Sequence, residues 1–245
     1  MPSPGQGGAA GILPTPEGLG GSSAIIFPSP IHFWPMNEGS GSTYHDSVGG
    51  LNFTVTNPYW GVLAGMGASA VAEFNNNAPT SAVASAYDAS LDFNGTQPWT
   101  YSAWAYITAA GTLFSNLENP SFTGGWEIGQ GVPNTIGSFA GVNSGSAFLA
   151  VETTEYSINE ALFITVTYDG SNTVAGLLFY INGVVQTMDT LGDNFVPPGI
   201  SAQPFQIGLR PNGTQPYGGG LAYMRVWNQV LTSAQITTLY GNGPQ

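Results

Sequence analysis

Between Phe163 and Thr187 the chain reads FITVTYDGSNTVAGLLFYINGVVQT, an alternating apolar pattern interrupted by two turn dipeptides. Side chains of an extended strand point alternately to its two faces, so Ile164, Val166 and Tyr168 share one face while Thr165 and Thr167 take the other. Asp169-Gly170 ends that strand. Leu177, Phe179 and Ile181 then alternate with Leu178, Tyr180 and Asn182, and Asn182-Gly183 supplies the two positive-φ positions of a type I′ hairpin. The pattern predicts an antiparallel meander, a scaffold in which nothing marks a nucleophile or a group titrating near neutrality.

From residue 31 onward the same grammar continues, with short strands separated by clusters of Gly, Pro, Asn and Asp. In TYSAWAYIT, Tyr101, Ala103, Ala105 and Ile107 fall on one face and Ser102, Trp104 and Tyr106 on the other. Neither face is polar throughout, which predicts a central strand with Trp104 in the core. One helix is expected near the C-terminus. Thr232 and Gln235 have the spacing of a capping box, Ile236, Leu239 and Tyr240 share a face, and Gly241 is placed to stop it. With 245 residues, 42% of them hydrophobic, one large core is within reach. The expected architecture is all-β: a two-sheet antiparallel sandwich over residues 31–245 carrying one short C-terminal helix.

Residues 1–30 differ. They read MPSPGQGGAAGILPTPEGLGGSSAIIFPSP, with Gly and Pro every few positions and no period of 2 or 3.6, which predicts an extended arm. Its apolar residues Ile12, Leu13, Ile25, Ile26 and Phe27 are the candidates for pegging it to a partner. No basic segment and apolar stretch follow Met1, and no apolar run reaches the roughly 18 residues of a membrane span, so neither an export signal nor a membrane anchor is expected. The absence of cysteine excludes disulfides.

Charge narrows the partners. Arg210 and Arg225 are the only basic residues against fourteen acids, a formal charge of -12, so there is no cationic surface for nucleic acid or for an anionic membrane. Charged residues make up 7% of the chain, against the ~25% usual for soluble domains, which leaves solubility to Ser, Thr, Asn, Gln and Gly.

Five segments in order, WPMNEGSGSTYHDSVGG (Trp34 to Gly50), LDFNGTQPWTYSAWAYI, TVTYDGS with LLFYINGVVQ, QIGLRPNG, and GGLAYMRVWNQVLTSAQITTLY, resemble the laminin-G-like, concanavalin A-like jelly-roll superfamily. The resemblance covers nearly everything after residue 30 and implies a jelly roll. It also implies calcium ligands, but where the family has an acidic pair in its last long strand this chain has Ala222 and Tyr223. Glu38 and Asp46, at the acidic positions of the first segment, are the remaining calcium candidates. The Trp-His-His that leads into the family's YDG segment is replaced by Ala161, Leu162 and Phe163.

Catalysis finds no foothold in spacing. Glycoside hydrolases on related sandwiches set carboxylates two apart on one strand face; here Glu152 and Glu155 are three apart, and Glu118 and Glu127 flank a Gly-rich turn. His32 and His45 stand in no nucleophile or metal motif. The expected role is therefore a non-catalytic attachment protein of a large assembly, a bacteriophage virion surface component such as a capsid decoration protein or head fibre. It would be homo-oligomeric, without a cofactor, and held to capsid or sister subunits by its arm. The alternative is an extracellular or cell-surface lectin-like module whose Trp60, Trp126 or Tyr217 stacks on sugar rings.

Overall fold

The computed structural model describes residues 27–245 apart from 68, 94, 118–123, 131–134, 143–146, 154–157 and 198. Four of the arm's apolar residues, Ile12, Leu13, Ile25 and Ile26, lie outside the described residues. In chain order the strands are β1 (His32–Trp34), β2 (Thr43–Tyr44), β3 (Phe53–Thr56), β4 (Tyr59–Gly61), β5 (Val71–Phe74), β6 (Ser81–Ala84), β7 (Trp99–Ala109), β8 (Thr112–Ser115) and β9 (Trp126–Gln130). They continue as β10 (Ile136–Val142), β11 (Ala147–Thr153), β12 (Ala161–Tyr168), β13 (Leu177–Ile181), β14 (Val184–Val185), β15 (Met188–Asp193), β16 (Gln206–Ile207) and β17 (Gly218–Trp227), and helix α1 (Ser233–Gly241) follows.

Eight strands form one sheet in the order β14-β13-β12-β7-β17-β5-β4, with β1 also paired to β17, and nine form the other in the order β15-β11-β10-β9-β8-β16-β6-β3-β2. Sequence neighbours such as β7 and β8 lie in different sheets, and the first strand pairs with the last, antiparallel. This is the expected jelly-roll sandwich. The alternation read from the sequence decides which faces meet: Tyr101, Ala103, Ala105 and Ile107 of β7, Ile164, Val166 and Tyr168 of β12, and Leu177, Phe179 and Ile181 of β13 face Phe53, Phe114, Trp126, Ile128 and Val151 of the other sheet in one continuous core.

The β13–β14 hairpin is a two-residue loop with Ile181 opposite Val184, and Asn182 and Gly183 have φ of 52° and 78°. Its tip rests on the helix, since a Cβ on Gly183 would stand 3.3 Å from the Thr237 Cα. Trp104 is buried, but on the outward face of its sheet rather than in the space between the sheets. It packs with Phe163, Tyr180, Trp227 and Ile236 in a second cluster that α1 covers, its ring 5.9 Å from that of Tyr240. The helix has the capping box predicted for Thr232 and Gln235. The positions that replace the family's acidic pair mark a bulge, where Tyr223 and Met224 of β17, between Ala222 and Arg225, stand opposite the single Ala103 of β7. Tyr223 takes φ of 53° there, and its N–H donates to the Pro35 carbonyl at 2.9 Å.

Candidate functional site

The chain around Asp46 folds about its own carboxylate. Oδ1 accepts the N–H groups of Phe33, Val48 and Gly49, each at 3.0 Å, and Oδ2 accepts the N–H of Leu51 at 3.0 Å. The imidazole of His32 adds a fifth donor, with Nδ1 2.6 Å from Oδ2. Burial opposes the charge, yet the His32 hydrogen bond and the backbone N–H groups outweigh it and hold the Asp46 carboxyl down at about 2. An ionised carboxylate at that distance fixes a proton on Nδ1.

His32 is held in place by its surroundings. It lies parallel to the Trp34 ring at 5.1 Å, and a Cβ on Gly49 would fall 2.3 Å from Nδ1, so that position admits only glycine. Nε2 is hydrogen-bonded to the Ser90 hydroxyl at 2.9 Å, and the Oδ2 of Asp88 stands 3.7 Å from the same nitrogen. Ser90 sits on a 3₁₀ turn, Ala89–Leu91, whose cap is Asp88; its side chain accepts the Ser90 N–H at 2.8 Å. Asp46 and His32 are buried, with side chains 0% and 3% exposed, whereas Ser90 is exposed.

Ser90 opens onto a cleft of about 290 Å³ lined by Ile31, Ala89, Ser90, Phe93, Gln97, Pro98 and Asn228. The lining is apolar on Ile31, Phe93 and Pro98, and hydrogen-bonding without charge on Ser90, Gln97 and Asn228. Tyr87, on the same segment, is 42% exposed and donates its hydroxyl to Asp92 at 2.7 Å, which with burial pushes the phenol up to about 12. Behind Phe93, the space between Trp99, Trp126, Leu149 and Tyr168 amounts to about 10 Å³, too little for a ligand.

The residues expected to bind do not gather at this cleft. Trp126 and Tyr217 are 2% and 0% exposed, which corrects their assignment as sugar-stacking rings. Trp126 donates its indole N–H to the Leu91 carbonyl at 2.8 Å beneath the 3₁₀ turn, and Tyr217 donates to the Tyr106 and Gly220 carbonyls, each at 3.1 Å. Both aromatics are core residues whose polar atoms need buried partners. Trp60 is half-buried edge-on against Tyr44, its N–H given to the Gly41 carbonyl at 3.2 Å. All the donors on Asp46 are protein N–H groups, Glu38 accepts the His45 N–H at 2.9 Å, and among the described residues no three His, Asp or Glu converge to hold a metal ion. Phe27 is 36% exposed where the arm meets the sandwich. Glu127 is engaged by Arg210 through two hydrogen bonds of 2.6 and 2.7 Å, and Glu152 accepts from Thr135.

No curated protein sequence matches the chain. The family model of the concanavalin A-like lectin/glucanases superfamily matches residues 76–237, more than half of the sequence, and the chain belongs to that superfamily. Ser90 lies inside the matched segment; His32 and Asp46 lie before it. Among solved structures the fold is similar to the binding domain of Paraclostridial Mosquitocidal Protein 1, at 15% identity and a TM-score of 0.65 over 87% of this chain and 52% of that one. It is also similar to the binding domain of botulinum neurotoxin DC in complex with SialylT, at 14% identity and a TM-score of 0.60 over 89% of this chain and 52% of that one. A third similar structure is domain 4 of AbnA, a GH43 extracellular arabinanase from Geobacillus stearothermophilus, in complex with arabinotriose. There the identity is 17% and the TM-score 0.60, over 86% of this chain and 98% of that one. Similarity at these identities is similarity of fold, and the chain spans about half the length of the two toxin binding domains. The fold is that of the concanavalin A-like lectin/glucanases superfamily.

Proposed function

We propose that this protein is an extracellular carbohydrate-binding module that takes a neutral sugar in the cleft beside Ser90. The observation that carries the reading is the chemistry of that cleft. Ile31, Phe93 and Pro98 offer an apolar floor for the C–H face of a pyranose or furanose ring, and Ser90, Gln97 and Asn228 offer uncharged hydrogen-bonding groups for its hydroxyls. No arginine is among the lining residues, so a carboxylated or phosphorylated ligand finds no counter-charge there. The arabinanase domain, a structure of similar extent bound to arabinotriose, supports the same ligand class.

Titration calorimetry with a panel of neutral oligosaccharides, arabinotriose among them, tests the proposal. At least one should bind, and Asn228→Ala or Gln97→Ala should each weaken it about tenfold, the effect of losing one buried hydrogen bond. No binding across the panel, or binding that both variants leave unchanged, counts against it.

A further inference from the structure

We propose that Ser90, His32 and Asp46 form an acyl-transfer site at the mouth of the cleft, acting on small neutral esters. The three meet the geometric requirements for nucleophile, base and orienter. The Ser90 hydroxyl is 2.9 Å from His32 Nε2, and His32 Nδ1 is 2.6 Å from an Asp46 oxygen. The burial gradient also runs in the required direction: the carboxylate is enclosed, the imidazole is sealed against Trp34, and the hydroxyl faces a cleft with room for a substrate. Asp46 is already bonded to four backbone N–H groups, so its loop is closed without help from the histidine. A histidine that joins this carboxylate to an exposed hydroxyl is in excess of what the loop needs.

In the first step Ser90 Oγ attacks the carbonyl carbon while His32 Nε2 takes the hydroxyl proton. The bond from that carbon to the alkoxy oxygen then breaks, the proton passes from Nε2 to the departing alcohol, and the acyl group remains on Ser90. Water attacks the acyl-serine, gives a proton to Nε2, and the carboxylic acid leaves as the proton returns to Oγ. The turn itself indicates the substrate class. The N–H groups of Ser90, Leu91 and Asp92 are bonded to Asp88 Oδ1, the Asp88 carbonyl and the Ala89 carbonyl. With these three N–H groups of the turn already engaged, they do not form an oxyanion pair, which favours an ester over the less reactive amide.

The test uses the full chain with 4-nitrophenyl acetate. The expected result is an initial burst approaching one nitrophenolate per chain and an acetyl group on the peptide that contains Ser90, found by mass spectrometry. Ser90→Ala, a change at an exposed position, should keep the fold, lose the acetylated peptide and slow release by about a hundredfold or more. Ser90→Cys should carry the acetyl on its sulfur. Equal release by wild type and Ser90→Ala, or an unacetylated Ser90 during turnover, overturns the proposal. The chemistry does not require that the cleft's ligand be a sugar, and oligosaccharide calorimetry fails or succeeds independently of acyl-serine formation.

Discussion

Asp46 accepts hydrogen bonds from four backbone N–H groups and from the His32 imidazole, and its removal should be severe. Asp46→Ala leaves one buried and three part-buried N–H groups without their acceptor, at about 1–3 kcal/mol for the buried Leu51 N–H and less for the others, so a clear loss of stability is expected in denaturant titration. The pH dependence has a definite sign. The native carboxyl lies below its ordinary value, so its contribution is complete above about pH 4 and disappears as pH falls toward about 2. Thermal midpoints should drop across that window, and a midpoint that stays flat would contradict the bonding described. Trp126→Ala should cost ~3–5 kcal/mol, as for other core aromatics, rather than simply weaken sugar binding. The sequence displayed these residues without their roles. Asp46 is visible as an acid at a family position, but the chain does not reveal whether backbone N–H groups or a cation will meet it. Ser90 and His32 are separated by 58 positions, a juxtaposition that only the folded sheets create. The sole local signal was Asp88 two residues before Ser90, a spacing that suits a capped turn.

At the scale of the element, the sequence was far more legible. The hairpin at Asn182-Gly183, the alternation of β7 and β12, and the capped helix all follow from short-range rules that tertiary structure has no reason to override. Thr232→Ala should cost ~0.5–2 kcal/mol through loss of the cap. Gly183→Ala should cost ~1–2 kcal/mol, since its positive φ disfavours a Cβ and the helix leaves it little room. What alternation does not state is which of two apolar faces points into the sandwich. Trp104 lies under α1 for that reason, and Trp104→Ala should destabilise by ~3–5 kcal/mol while loosening the helix, seen as faster amide exchange from Ile236 to Tyr240. Slow exchange retained in the variant would show that the helix docks without it.

For the whole molecule, the described part of the chain joins the sandwich at once: Trp227 donates its indole N–H to the Pro28 carbonyl at 3.0 Å, and the Ile31 N–H donates to the Val226 carbonyl at 2.8 Å. Because every strand and the capped helix lie downstream of residue 31, deletion of residues 1–26 should leave the melting temperature and any oligosaccharide binding unchanged. If the arm has the attachment role that its composition suggests, the same deletion should reduce self-association or retention on a larger assembly, measured by sedimentation. Unchanged sedimentation would remove that role. The two arginines have a further consequence. Arg210 is bonded to Glu127, and Arg225 lies 3.9 Å over the Phe33 ring with its guanidinium also bonded to the Tyr223 carbonyl. With one of the two arginines ion-paired and a formal net charge of -12, one copy presents to another a predominantly negative field, with a range of about 10 Å at 0.1 M salt. Molecules crowded along a polymer or a surface would then act as like-charged colloids, spaced by mutual repulsion at low ionic strength and closing up as salt is added.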